Sequence, residues 1–148
     1  MIQLDWMVRE SDGRPFALDD APTKWIGNAF GVYVIWNAMT GRVRRLGSGR
    51  IADRLIAHRS DEKIIGNPRL PLFVHWAETG ARSARSIEAY LAAEYDPEVG
   101  EYPSEVPTAV NLPDGPRRSP VGALGRVFRD LAVRQGAAPS FGRRVKNL

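Results

Sequence analysis

The sequence predicts an α+β fold in which a small three-stranded sheet, mixed or antiparallel, is flanked by helices. Residues 31–36 and 42–46 have the composition of two strands and are joined by turn residues, which indicates a hairpin. Apolar residues then recur at helical spacing over 50–58 and 83–95, and a short apolar run at 72–77 is typical of a third strand. We expect an extra C-terminal helix and a basic tail after these elements.

Length and composition restrict the classes of protein to which the chain can belong. With 148 residues, of which 43% are hydrophobic, the chain is long enough for one ordinary domain with a buried core. It contains no cysteine and only His58 and His75, which excludes disulfides, thiol catalysis and sites built from several histidines. We expect a cytoplasmic protein without membrane contact, because no apolar run approaches the ~20 residues of a membrane span and no signal-peptide pattern is present.

Positive charge is unevenly distributed along the chain. The formal net charge is +4, yet residues 1–113 hold 13 basic and 15 acidic residues, whereas residues 114–148 hold 8 and 2. Arginine dominates, and its planar guanidinium pairs well with phosphate. The clustering favours nucleic acid as a partner, DNA ahead of RNA, over a merely solvated basic surface. A second basic cluster comprises Arg42, Arg44, Arg45, Arg50, Arg54, Arg59, Lys63 and Arg69.

The predicted hairpin and the helix after it form the stretch around which the chain is organised. Turn residues occupy 37–41, and the glycines of segment 47–49 are expected to end the return strand. A helix then begins at Arg50. Because Arg54 and His58 follow at intervals of four residues, all three side chains are expected along one side of this helix.

The flanking segments carry weaker signals. Alternating apolar residues over 2–6 predict a short edge strand, and the polar stretch 16–24 predicts a loop. Trp25 and Ile26 are expected to pack under the first strand of the hairpin. His75 lies alone in the third strand, where a histidine that hydrogen-bonds to the backbone is a better explanation than a ligand.

The second long helix, Ser83–Tyr95, carries an acidic residue on its apolar face. Its first residue is a suitable N-cap, and Asp96 precedes a proline that ends the helix. A carboxylate at Glu88 on the inward face costs several kcal/mol unless a metal or an arginine, such as Arg54 or Arg85, compensates its charge. The apolar residues of the same face are Ala84, Leu91, Ala92 and Tyr95.

The order and spacing of these residues resemble the core of a GIY-YIG nuclease domain. The triplet Gly31–Tyr33 stands for the first motif, and Arg45–Gly47 stands for the second. Arg54 with His58 on the next turn matches the helix of that family, which carries an arginine and often a histidine. The resemblance implies an α+β nuclease fold.

The second half of the resemblance lies on the next long helix. Members of the family carry a metal-binding glutamate there, with an apolar residue three positions on and a proline nine positions on. Glu88, Leu91 and Pro97 reproduce this pattern. The family segment closes with an asparagine, and its nearest counterpart is Asn111, displaced by the acidic insertion 98–107.

The resemblance divides the chain and implies a mechanism. Residues 30–112 form the catalytic domain, 1–29 an extension that packs on it, and 113–148 a linker, a helix at 121–135 and a basic tail. Hydrolysis of a phosphodiester needs an activated water and stabilised phosphoryl charge. The roles that the resemblance implies are a general base with its pKa lowered by a neighbouring cation (Tyr33), a phosphate ligand (Arg54), a residue that tunes the base (His58), the single protein ligand of Mg²⁺ or Mn²⁺ (Glu88), and additional substrate contacts (Arg45, Ser48, Arg50 and Asn111).

The second motif departs from the family. Arg45 replaces its tyrosine, and Ser48 occupies a position that is often lysine or glutamine. An arginine can bind phosphate and lower the pKa of Tyr33, but it supplies no phenol. Because Tyr33, Arg54 and Glu88 are all present, the first interpretation is still an active endonuclease. The second is a catalytically weakened domain that binds nucleic acid without cutting it, and the third is an interaction module whose tail binds a protein or ribosomal partner.

Overall fold

A computed structural model of the chain describes residues 1–119, so the predicted helix at 121–135 and the tail after it lie outside the described residues. The sheet has four antiparallel strands in the order β1-β4-β2-β3. These strands are β1 (Phe16–Ala17), β2 (Phe30–Asn37), β3 (Val43–Arg50) and β4 (Leu72–Glu78). The helices are α1 (Thr23–Ile26), α2 (Ile51–Arg59), α3 (Glu62–Ile65) and α4 (Ala81–Tyr95), with one 3-10 turn at Leu18–Asp20.

The predicted α+β class is confirmed, but the sheet has one strand more than predicted. Phe16 and Ala17 lie in the segment predicted as a loop, and they pair with Val74 and Phe73 of β4. A two-residue strand is too short to show alternation, so no pattern in the sequence indicates it. The edge strand predicted over 2–6 is absent, since that segment makes only an isolated parallel bridge, from Ile2 to Val110.

The hairpin forms as predicted, and β3 runs further than predicted. The register pairs Val32 with Ser48 and Tyr33 with Gly47. The predicted break at 47–49 is therefore wrong, because its glycines continue the ladder up to Arg50. Glycine weakens a strand but is tolerated where another group approaches the backbone closely, as happens at Gly47.

Helices cover both faces of β2. Val32, Val34 and Trp36 point toward α4, whereas Tyr33 and Ile35 point toward α2. This division follows from the two-residue period of a strand. The apolar stripe of α4 is buried as predicted, and the residues that form it are Ala84, Glu88, Leu91, Ala92 and Tyr95.

Element boundaries differ modestly from the predicted ones. Helix α4 begins after Gly80 rather than at Ser83, and it ends at Asp96, which adopts a left-handed conformation with φ of 47°. The short helix α3 occupies part of a predicted loop. Ile26 is buried as expected, but Trp25 is 70% exposed and does not pack under β2. Within residues 1–119 no helix combines the length and apolar character that crossing a membrane requires.

The segment after α4 returns along the core. The backbone N–H groups of Glu98 and Val99 donate to the carbonyls of Val43 and Arg44, which covers the outer edge of β3. Further on, the guanidinium of Arg118 binds the carboxylate of Glu94. The described chain is therefore fastened to the sheet edge and to α4 up to its last residues.

Candidate active site

A buried hydrogen bond joins the first strand of the hairpin to α2. The phenol oxygen of Tyr33 lies 2.6 Å from Nε2 of His58. Tyr33 is 1% exposed and His58 is 8% exposed, so water competes little for either group. The sequence placed these residues in one candidate pocket, and the structure brings them into direct contact.

Gly47 makes room for this contact. It faces Tyr33 across the hairpin, and the phenol crosses over its backbone. A Cβ atom added at Gly47 would lie 2.5 Å from the phenol oxygen and 2.9 Å from Cζ. Carbon atoms in contact are normally about 3.5–4.0 Å apart. The glycine of the second motif is thus required by the position of the tyrosine of the first.

The phenol donates this hydrogen bond in one of the two neutral tautomers of His58. Burial, with the charge of Arg45 as the next cause, lowers the pKa of His58 to about 4; Asp61 opposes this and Arg54 adds to it. His58 is therefore a neutral imidazole at neutral pH. Its Nε2 accepts the Tyr33 hydroxyl proton when the ring carries its own proton on Nδ1.

The pKa of Tyr33 is raised, which corrects the expectation that a neighbouring cation would lower it. Burial is the largest cause and raises the pKa. Arg45 opposes this through its charge and a hydrogen bond, Arg54 opposes it through its charge, and Glu88 adds a small increase. A phenol of this kind does not ionise by itself near neutral pH, so it needs a proton acceptor. His58 is in position to be that acceptor.

Two arginines flank the pair. Arg54 is exposed on α2, and a Cβ atom added at Gly49 would lie 3.1 Å from its Nε. Arg45 is half-buried on β3, and its Nε is buried without a hydrogen-bond partner among the described residues. Both charges affect the pKa of Tyr33 and of His58, and they are opposed by Glu88 at Tyr33 and by Asp61 at His58.

Glu88 approaches β3 from the other face of the sheet. The hydroxyl of Ser48 donates to its Oε1 at 2.7 Å, and NH1 of Arg85 lies 3.8 Å from the same oxygen. The inward position predicted for Glu88 is confirmed, and of the two predicted arginine partners Arg85 is the one that forms an ion pair. Ser48 contacts the carboxylate rather than standing free for substrate.

A divalent cation is compatible with Glu88 but has little other protein support. Both contacts of Glu88 use Oε1, which leaves Oε2 for a further ligand. Hard cations bind carboxylate oxygens and complete their shell with waters and phosphate oxygens. Within residues 1–119 no group of three or more histidine, aspartate or glutamate side chains could hold a metal. Glu88 would therefore be a single protein ligand.

Two predicted site residues have other surroundings. The side chain of Asn111 binds the backbone of Leu4, accepting from its N–H at 2.6 Å and donating to its carbonyl at 2.9 Å. The structure does not bring Asn111 to Tyr33, because Leu4 belongs to the core under α4. Arg50 is exposed and is the last residue of β3, and its backbone is extended, so the prediction that α2 begins at Arg50 is corrected by one residue.

The predicted basic cluster divides into two groups. Arg44 donates to the carbonyls of Ile64 and Lys63, and Arg59 donates to those of Leu18 and Ala21. These arginines fasten loops to the core. The spacing of residues in the sequence does not distinguish these structural arginines from arginines that face a ligand. The difference depends on which residues, far along the chain, each guanidinium contacts.

Sequence reasoning missed one neighbour of the site. Gly100, in the acidic insertion, lies against the guanidinium of Arg45, and no spacing in the sequence indicates this contact. The chain matches no protein-family model, no curated protein and no solved structure. The chemistry of the pocket is therefore argued from its own residues.

The second histidine is structural. Nδ1 of His75 accepts from the indole N–H of Trp36 at 3.1 Å, and the two rings stack with an interplanar angle of 7°. The predicted backbone partner is wrong, because the ring of His75 binds the Trp36 side chain instead. Burial lowers the pKa of His75 to about 4, while Asp114 opposes the shift slightly.

Stability is expected to fall as the pH drops from about 6.5 to about 4. The pKa of His58 and of His75 is about 4 in the folded protein and near 6.5 when unfolded, so over this range the unfolded chain binds more protons. The loss should be roughly 1–2 kcal/mol per histidine once screening by solvent is allowed for. Thermal melts across this range should show a smaller loss for His58→Gln than for the wild type. Identical pH profiles would contradict the assignment.

Proposed function

We propose that the protein is a metal-dependent endonuclease of the GIY-YIG type that hydrolyses phosphodiester bonds of nucleic acid, DNA ahead of RNA. The observation that carries the proposal is the buried hydrogen bond between Tyr33 and His58, flanked by Arg45 and Arg54. A paired proton donor and acceptor beside two arginines suits an anionic substrate that must be attacked by water.

Tyr33 and His58 act as a proton relay in this proposal. Water attacks the phosphorus and gives one proton to the phenol oxygen as the phenol proton moves to Nε2 of His58. The bond from phosphorus to the leaving oxygen breaks, and the leaving oxygen takes a proton from solvent. His58 then releases to solvent the proton that it accepted at Nε2, which restores the starting pair. Bound phosphate favours the relay, because its negative charge opposes the arginine charges that lower the pKa of His58.

Arg54 and Glu88 supply the remaining functions. The exposed guanidinium of Arg54 binds a phosphoryl oxygen and stabilises the charge that develops on it. Glu88 would hold Mg²⁺ or Mn²⁺, which when bound acts as a Lewis acid on the phosphate. Ser48 keeps Glu88 oriented through the hydrogen bond to Oε1.

A second candidate is a domain that binds nucleic acid without cutting it. Two observations favour it. Arg45 stands where the resembled family has a tyrosine, and no three-membered group of metal-binding side chains exists among the described residues. Such a domain keeps the two arginines and lacks turnover.

Cleavage of branched, nicked and linear DNA with Mg²⁺ or Mn²⁺ tests the first candidate. The wild type should cut, and Glu88→Gln should lower the rate by about a hundredfold or more, because Lewis-acid stabilisation contributes several kcal/mol. Glutamine can still accept the hydrogen bond from Ser48, so the fold should be retained. Glu78→Gln is a matched control, since Glu78 is exposed at the end of β4.

The outcomes separate the candidates. If the wild type does not cut but binds DNA with an affinity that falls as salt rises, the second candidate holds. If the wild type neither cuts nor binds, both candidates fail and a protein partner for the basic regions becomes the interpretation to test.

A further inference from the structure

Arg45 is a cation without a counterion in the described part of the chain. No carboxylate within residues 1–119 pairs with it, and its buried Nε has no acceptor. Leaving a buried donor or a half-buried charge without a partner costs free energy. Arg118 avoids this cost by pairing with Glu94 and Arg59 by binding two backbone carbonyls, whereas Arg42 also has a buried Nε without an acceptor but donates through NH2 to the carbonyl of Asp96. An unpaired guanidinium of this kind is a candidate site for an anion.

The acidic insertion holds this guanidinium in place without neutralising it. Its first residues pair with the outer edge of β3, and Gly100 then lies against Arg45. A Cβ atom at Gly100 would be 2.5 Å from NH1, and its φ of 106° is one that side-chain-bearing residues rarely adopt. Glu98 lies 3.9 Å from Arg44, and Glu105 lies 3.2 Å from Arg85. Two of the three carboxylates of the insertion, those of Glu98 and Glu105, thus lie beside other arginines.

Arg45 acts directly on the Tyr33–His58 pair. Its positive charge lowers the pKa of both residues. Arg54 adds a second positive charge to the same surroundings, while Glu88 and Asp61 act with the opposite sign. The two departures from the resembled family, Arg45 and the insertion, therefore meet at one point beside the relay.

We infer that Arg45, held by the Gly100 segment, is the principal phosphate-binding residue of the pocket and binds a single phosphate group of nucleic acid without any metal. The inference rests on the proposed function for the identity of the ligand. The phosphate is either an internal phosphodiester or a terminal phosphate monoester, which share the same oxygen chemistry. A guanidinium suits both because its donors form a planar fork.

Binding in EDTA tests the inference, with inorganic phosphate and a short single-stranded oligonucleotide, with and without a 5′-phosphate, as probes. Arg45→Gln should weaken binding by about tenfold or more, since hydrogen bonds to charged groups contribute about 1.5–3 kcal/mol. The slope of log K against log salt for the oligonucleotide should fall by about 0.7, as expected for one lost phosphate contact. Arg82→Gln, at an exposed position of α4, should change affinity by less than about twofold.

The two oligonucleotides identify the source of the phosphate. Equal weakening for both indicates an internal phosphodiester, and weakening confined to the 5′-phosphorylated one indicates a terminal monoester. Either result supports Arg45 as the phosphate ligand. Unchanged affinity of Arg45→Gln for all probes, with an unchanged salt slope, overturns the inference.

A second variant covers the case in which Arg45→Gln fails to fold. Gly100→Ala keeps the arginine but displaces its guanidinium, so binding of the same probes should weaken in the same direction. Unchanged binding by this variant would count against the inference. If the wild type binds phosphate through Arg45 but does not cut DNA, the inference about Arg45 holds and the proposed nuclease activity is wrong. If the wild type cuts DNA but its phosphate binding does not depend on Arg45, the nuclease activity holds and the inference about Arg45 is wrong.

Discussion

Gly47→Ala is expected to lower the rate of DNA cleavage by about a hundredfold or more, because general acid–base groups contribute about 10²–10⁴-fold. The added Cβ would lie 2.5 Å from the phenol oxygen of Tyr33. Since Tyr33 is 1% exposed, the ring has no free space nearby, and its hydrogen bond to His58 must break or lengthen. The free energy of unfolding should fall by about 1–3 kcal/mol, as for other overpacked cores.

The measurement combines cleavage rates with the NMR signals of the His58 ring. In the variant, the ring signals should shift and His58 should titrate differently, whether or not a given DNA substrate is cut. Gly80→Ala is the matched control, since a Cβ at Gly80 meets no atom within 4 Å and its φ of −66° suits alanine. A Gly47→Ala protein with wild-type cleavage and an unchanged His58 signal would show that the hydrogen bond has no catalytic role.

Arg118→Ala is expected to lower the free energy of unfolding by about 3 kcal/mol, the low end for buried ion pairs because Arg118 is half exposed. Glu94 is fully buried, and Nε of Arg118 donates to its Oε2 at 2.8 Å. Removing the guanidinium takes a charged hydrogen-bond partner from a buried carboxylate. For a chain of this size the melting temperature should fall by roughly 6–12 °C.

Two further variants separate this ion pair from general effects. Arg82→Ala removes an exposed arginine from the first turn of α4 and should leave the melting temperature almost unchanged. The double variant Glu94→Gln with Arg118→Ala should recover part of the loss, because the buried group at position 94 then carries no charge. If Arg118→Ala and the wild type have the same melting temperature, the ion pair contributes nothing to stability. The segment before residue 120 is then held by other contacts.

Local patterns predicted the parts of the molecule that depend on neighbouring residues. Strand composition with a turn indicated the hairpin, and helical spacing indicated α2 and α4. Spacing also put Glu88 on the inward face of its helix, where the structure has it. Periodicity succeeds here because it reports which face a residue occupies.

Local sequence patterns gave wrong predictions where the position of a residue depends on a contact with another residue far along the chain. The glycines at 47–49 were expected to end a strand, yet Tyr33 crosses Gly47 and the ladder continues. The strand at Phe16 exists because β4 offers a free edge, and the two-residue segment itself carries no signal. Asn111 was expected at the site by analogy, but its side chain binds Leu4 instead.

The sequence by itself determined the α+β class, the hairpin, the two main helices and the inward face of α4 on which Glu88 lies. Only the tertiary structure decided which of the predicted site residues contact one another. Tyr33 and His58 are 25 residues apart, and Ser48 and Glu88 are 40 apart. Such pairs depend on the packing of whole elements, which local propensity does not encode. Burial in that packing also set the direction of the Tyr33 pKa, since desolvation outweighs the charges of two nearby arginines.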